Sequence, residues 1–123
     1  MSERILIVDD EQHIVRVFKL YLERNGFIVE SVGNGKLAME WLAQNEPDAV
    51  ITDIQMPIMD GKELCEKLEE EMPDRKFPIF VMTSMTDREH RTWTDKIKNL
   101  LFLEKPVSIR ELSRKLDEYF AQT

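Results

Sequence analysis

Ile5-Leu6-Ile7-Val8 followed at once by Asp9-Asp10 is the stretch that decides the fold. A strand with one wet face alternates apolar and polar residues. Four apolar residues in a row demand cover on both faces, which is how the strands of a parallel sheet between two helical layers read. The same signature recurs along the chain. Ala49-Val50-Ile51 leads to Asp53, Ile79-Phe80-Val81-Met82 leads to Thr83-Ser84, and Leu100-Leu101-Phe102-Leu103 runs into Glu104-Lys105-Pro106. Phe27-Ile28-Val29, ahead of the turn Gly33-Asn34-Gly35, is the remaining run.

Helical periodicity fills the intervals. Ile14, Val17, Phe18, Tyr21 and Leu22 recur at spacings of three and four until Asn25-Gly26 stops the helix. Leu37, Trp41 and Leu42 mark the inner face of a second helix that ends before Pro47. Asp60 with Glu63 makes a capping box opening a third, with the stripe Leu64, Leu68 and Met72. Thr86 with Glu89 opens a fourth through Trp93 and Ile97. Ser108 with Glu111 opens a fifth carrying Ile109, Leu112, Leu116 and Tyr119 or Phe120. Five β-then-α units joined by right-handed crossovers predict an α/β fold: a five-stranded parallel sheet, doubly wound into a three-layer α/β/α sandwich. The length fits one domain over residues 1–123.

Composition narrows the function. With 17 Lys plus Arg against 24 Asp plus Glu, the formal charge of −7 repels phosphate backbones and anionic lipid, so neither nucleic acid nor membrane is expected as a direct partner. Cys65 is the single cysteine, and no apolar run approaches the about 20 residues of a membrane-spanning helix. A reducing, cytoplasmic setting is expected. His13 and His90 lack a metal partner at helical spacing, which argues against zinc. Cys65, beside the stripe of the third helix, reads as a packed thiol and Trp41 as core; Trp93 reads equally as core or as a partner contact.

Ligands of open α/β sheets bind just beyond the carboxyl ends of the strands. The residues at that edge are Asp9 and Asp10, Asp53, Thr83 and Ser84, and Lys105. Taken singly, each has a plain structural reading, Asp10 for instance as the cap of the first helix. Taken together they suit phosphoryl transfer. Three converging carboxylates repel one another unless a cation neutralises them, and oxygen-only donors favour a hard ion such as Mg²⁺. Asp53 can then act as a nucleophile toward phosphorus, with Lys105 and Thr83 meeting the charge on the transferred group.

The residues Val8-Asp9-Asp10, the loop Asp53-Ile54-Gln55-Met56-Pro57-Ile58-Met59-Asp60-Gly61, Val81-Met82-Thr83-Ser84 and Lys105-Pro106 resemble the receiver domain of two-component response regulators, of the chemotaxis-regulator kind. The resemblance spans Arg4 to Phe120 and implies a flavodoxin-like strand arrangement. It implies that Asp53 takes a phosphoryl group from a phosphohistidine on a sensor histidine kinase or histidine phosphotransfer protein. Asp10 would bind Mg²⁺ directly and Asp9 through water, with Asp53 and the backbone carbonyl of Gln55 completing the protein ligands. Lys105 would pair with the phosphoryl oxygens, ahead of a cis peptide at Pro106. Thr83 would be the switch hydroxyl, and Phe102 its aromatic partner or else a plain core residue. Gln55 and Met85 occupy the positions that tune hydrolysis of the acyl phosphate in this family.

The output face implied by the resemblance runs from the fourth helix through the fifth, where this chain carries Arg88, His90, Arg91, Trp93 and Lys96, and Lys98-Asn99-Leu100 in place of a Gly-Ala pair. A monomer or weak dimer is expected. Three other readings stand beside the leading one. A haloacid-dehalogenase-type phosphatase wants a second Asp two residues after its nucleophile, where Gln55 stands. A flavodoxin-like electron carrier wants a phosphate loop where Asp9-Asp10-Glu11 stands. A degenerate receiver would lack part of the set Asp9, Asp10, Asp53, Thr83 and Lys105. The protein is therefore expected to be a switch rather than a turnover enzyme, acting through a partner protein or an effector domain outside this sequence.

Overall fold

Arg4–Val8 forms β1 and Gln12–Arg24 forms α1, followed by β2 (Ile28–Val32), α2 (Gly35–Leu42), β3 (Ala49–Asp53), α3 (Gly61–Glu71) and β4 (Ile79–Thr83). A 3-10 helix (Thr92–Lys96), β5 (Leu100–Glu104) and α4 (Ile109–Ala121) complete the chain. This computed structural model describes residues 2–84 and 92–122. All five strands are parallel, in the order β2-β1-β3-β4-β5.

The continuous apolar runs divide by parity. Ile5 and Ile7, Ala49 and Ile51, and Phe80 and Met82 point to one face, where Val15, Phe18 and Leu22 of α1 and Leu112 and Leu116 of α4 cover them. Leu6 and Val8, Val50, and Ile79 and Val81 point to the other, against Ala38 and Leu42 of α2 and Leu64, Cys65 and Leu68 of α3. Each fully buried Ile, Leu or Phe contributes ~1.5–3 kcal/mol of hydrophobic transfer, so two such cores leave the strand ends free for chemistry.

Several local expectations shift. On α1 Val15 joins Phe18 and Leu22 in the core while Val17 is 49% exposed; on α2 Ala38 joins Leu42 while Leu37 lies outside. Phe27 precedes β2 rather than forming part of it. Asp60 and Glu63 form the full capping box, but Ser108 only accepts the Glu111 N–H, a one-sided cap. Asp10 does not cap α1: the N-cap is Glu11, whose own N–H donates to Asp9 Oδ1 at 2.9 Å. The predicted fourth helix starts at Thr86 and Glu89, which with Met85, Arg88, His90 and Arg91 lie outside the described residues. Its described end, through Trp93, is 3-10 rather than α-helical.

Candidate functional site

Strand order reverses at β1, which lies between β2 and β3, so a crevice opens beyond the carboxyl ends of β1 and β3. Asp9 leaves β1 there, its N–H still bonded to the Val32 carbonyl at 3.1 Å. Asp53 is the last residue of β3, and Thr83 the last of β4. The Lys105 N–H donates to the Thr83 carbonyl at 2.7 Å, which fixes the lysine's backbone beside the same edge. The sheet register, not any local motif, therefore brings these residues together.

Asp53 is 2% exposed. Its Oδ1 accepts from Lys105 Nζ at 2.7 Å and from the Ile54 N–H at 2.8 Å. Asp9 is 5% exposed, and Asp10 is exposed. One carboxylate oxygen from each of Asp9, Asp10 and Asp53 lies within 4.8 Å of the others. Burial pushes the Asp9 carboxyl above its ordinary value; the Glu11 N–H opposes this, and the Asp53 charge adds to it. A bound cation would reverse that penalty. With three carboxylates and no nitrogen or sulfur donor, the group fits a hard divalent ion.

Thr83 adds a second unsatisfied element. Its Oγ1 is sealed from solvent, the residue being 1% exposed, and has no hydrogen-bond partner among the described residues. A buried hydroxyl without a partner costs about 1–3 kcal/mol, so it persists only where something else maintains it.

The loop after β3 is unusually constrained. The Met59 N–H donates to the Pro57 carbonyl at 2.8 Å across Ile58, whose φ is +71°, a γ-turn of the strained hand. A β-branched residue rarely adopts that φ, and Ile58 is also 75% exposed. The loop is pinned on both sides: the Gly61 N–H donates to the Ile54 carbonyl and the Gly35 N–H to the Met59 carbonyl, each at 2.8 Å. A Cβ on Gly61 would sit 2.1 Å from the Asp53 carbonyl oxygen, so only glycine lets α3 start so close to the end of β3.

The other predicted residues fall around this centre. Gln55 is exposed in the loop two residues past Asp53. The Lys105–Pro106 peptide is cis. Phe102 is half-buried against the α2/α3-side core, and its carbonyl accepts from Lys115 Nζ at 3.2 Å, so it is neither a plain core residue nor an exposed one. Cys65 is buried, which pushes its thiol up to about 12. Sequence reasoning missed the roles of the Ile54 N–H and of Arg75. The Arg75 guanidinium, 1% exposed, pairs with Glu69 at 3.1 Å and donates to the Lys98 carbonyl. No spacing signal announces that latch. Among the described residues no helix is long and apolar enough to cross a membrane.

Comparison with known proteins agrees with this geometry. Residues 5–117 match the family model of the response regulator receiver domain. The chain is 35% identical over 112 residues to the transcriptional regulatory protein SrrA of Staphylococcus aureus, covering 91% of this chain and 45% of that protein. It is 29% identical over 116 residues to the alkaline phosphatase synthesis transcriptional regulatory protein PhoP of Bacillus subtilis, covering 94% and 48%. The chain thus spans less than half the length of these relatives. The signal receiver domain of a signal transduction histidine kinase from Syntrophus aciditrophicus superposes with a TM-score of 0.88 at 28% identity, covering 99% of this chain and 92% of that one. A CheY-like response regulator receiver domain protein from Methanospirillum hungatei gives 0.86 at 27%, covering 99% and 96%. With the sheet order, the acidic cluster and the loop after β3 in agreement, this chain belongs to the receiver domain family of two-component response regulators.

Proposed function

We propose that the chain is a phosphoryl-accepting switch with Asp53 as the acceptor. The observation that carries the reading is the pairing of Asp53, held by Lys105 and the Ile54 N–H, with the orphaned hydroxyl of Thr83 at the end of the neighbouring strand. An Asp53 carboxylate oxygen forms the new O–P bond as the P–N bond of a phosphohistidine breaks, and the bonding pair stays with the imidazole nitrogen. Lys105 moves from Asp53 Oδ1 to the phosphoryl oxygens, and Thr83 Oγ1 finds in them the acceptor it lacks.

Asp9, Asp10 and Asp53, with the Gln55 carbonyl, would hold Mg²⁺, which when bound neutralises the carboxylates and the transferred group's oxygens. Asp9 is pre-oriented for this by the Glu11 N–H. The donor is a phosphohistidine on a sensor histidine kinase or phosphotransfer protein. A mostly apolar cavity of about 460 Å³, lined by Ile14, Phe18, Pro106 and Val107 beside Lys105, supports docking of such a partner next to Asp53. The signal leaves through a partner or an effector domain, and Phe102 belongs to the responding face. We place the protein in the cytoplasm and read it as a switch without turnover of external substrates.

Incubation with Mg²⁺ and acetyl phosphate, followed by intact mass, tests the reading. One added phosphoryl group is expected, absent in Asp53→Asn and without turnover of small phosphomonoesters. Labelling that survives Asp53→Asn would overturn it.

A further inference from the structure

A groove of about 560 Å³ lies between α3 and the 3-10 helix, away from Asp53. Among the described residues, one wall is Glu66, Glu69 and Glu70, and the other includes Trp93, Lys96 and Ile97. The three glutamates are not equivalent. Glu69 is held within the molecule by Arg75 and by the Lys98 N–H. None of the described ion pairs involves Glu66, Glu70 or Lys96. Glu66 and Glu70 stand one turn apart on α3, a like-charge spacing that works against the helix. Opposite them, Trp93 is half-buried, its ring resting on the α2/α3-side core rather than filling it.

We propose that this groove docks a cationic segment of a partner protein, one that sets a Lys or Arg against Glu66 and Glu70 and an apolar side chain against Trp93 and Ile97. Charge complementarity selects the occupant. Glu66 and Glu70, which pair with no cation among the described residues, outweigh the single Lys96 across the groove, so charge draws in a cationic segment and disfavours an acidic one. The floor rewards apolar contact, so a purely hydrophilic cation would bind less well. This surface is separate from the acceptor site and goes beyond the proposed phosphoryl chemistry.

The test uses the full chain and a fluorescein-labelled peptide of alternating Leu and Arg, with a Leu-Glu peptide as control. Anisotropy at low ionic strength should show saturable binding of the first peptide alone. In a Trp41→Phe background, the emission of Trp93 should change on binding. Glu66→Gln with Glu70→Gln, both exposed, should weaken binding by about tenfold or more. Glu40→Gln with Glu46→Gln removes the same charge from exposed positions on another surface and should have little effect. Equal losses in the two double variants would mean that only bulk charge attracts the peptide, and would overturn the proposal. Unchanged binding in the first double variant, or no binding at all, would do the same. If the protein alone self-associates and the same two substitutions abolish this, the occupant is a second copy and the partner assignment fails.

Discussion

Thr83→Val should make the metal-free, unphosphorylated protein more stable while impairing the switch. Thr83 is 1% exposed and its Oγ1 has no partner among the described residues, so folding strips water from the hydroxyl without a compensating bond from them. That penalty is about 1–3 kcal/mol. Valine keeps the branched shape, so no void opens, and a methyl replaces the orphaned oxygen at an apolar gain. A net stabilisation of about 1–2 kcal/mol is expected, or roughly 3–6 °C in melting temperature for a domain of this size. Thr83→Ala removes the same hydroxyl but also deletes a buried methyl, at a cost of about 1 kcal/mol, and should fall close to wild type. Urea unfolding in chelator reads both, with an unchanged slope confirming that the midpoint shift is stability. With Mg²⁺ and acetyl phosphate the order should reverse in one respect: phosphorylation should stabilise wild type more than Thr83→Val. A valine variant no more stable than wild type in chelator would refute the reasoning, because it would mean that the hydroxyl is satisfied in solution.

Four further outcomes follow from the same geometry. Gly61→Ala should cost about 3 kcal/mol or more and slow phosphorylation, since the three nearest atoms to its Cβ, Asp53 O at 2.1 Å, Ile54 Cα at 2.9 Å and Asp53 C at 3.0 Å, are all backbone; Gly33→Ala, with nothing within 4 Å, is the control, and urea unfolding measures both. Mg²⁺ at a hundred times its dissociation constant should raise stability by about 2.7 kcal/mol, and Asp9→Asn with Asp10→Asn should erase that increment in a calorimetric scan. Cys65, buried and with its thiol pushed up to about 12, should resist a thiol reagent in the native protein and react only on unfolding. The Glu69 carboxyl is held below its ordinary value of 4.5, first by the Lys98 N–H and then by Arg75. A lowered folded value stabilises above the unfolded value and is lost as pH falls through the folded one. The advantage of wild type over Glu69→Gln should therefore be constant from neutral pH downward and disappear only below 4.5.

The sheet and the site's membership were legible for one reason. Unbroken apolar runs specify buried parallel strands, and such sheets place chemistry at the residues that follow. Helix facing was less legible. Ile14, Val15, Val17 and Phe18 all fit a helical stripe, and only the position of the sheet decides that Val15 goes in and Val17 out. Ala38 displaces Leu37 because a small side chain lets α2 approach its neighbours closely. The orphaned Thr83 hydroxyl and the positive φ of Ile58 could not be read at all: the first depends on what the fold packs around the end of β4, and the second on a local turn that the distant Gly35 N–H pins at Met59. The same holds for Arg75, whose partners lie 6 and 23 residues away.

These features share a location. The raised Asp9 carboxyl, the unpartnered Thr83 and the strained Ile58 all lie at one edge of the sheet, while the two cores beneath are apolar and closed. Relaxation cannot relieve them, because strand register fixes Asp53 opposite Met82 and the Lys105 N–H opposite the Thr83 carbonyl. The Thr83 hydroxyl and the Ile58 turn each cost on the order of 1–3 kcal/mol. On the proposed function, a bound cation with a phosphoryl group would relieve two of these features at once, neutralising the acids and offering acceptors to Thr83 and Lys105. A ligand shifts a two-state equilibrium only by its differential affinity for the two states, and moving it from 1:99 to 99:1 takes about 5.5 kcal/mol. A single deficit of about 1–3 kcal/mol falls short of that figure, so relief of the Thr83 hydroxyl alone would not complete such a shift. Removing the Thr83 deficit in advance should therefore stabilise the resting protein and weaken its response for the same physical reason.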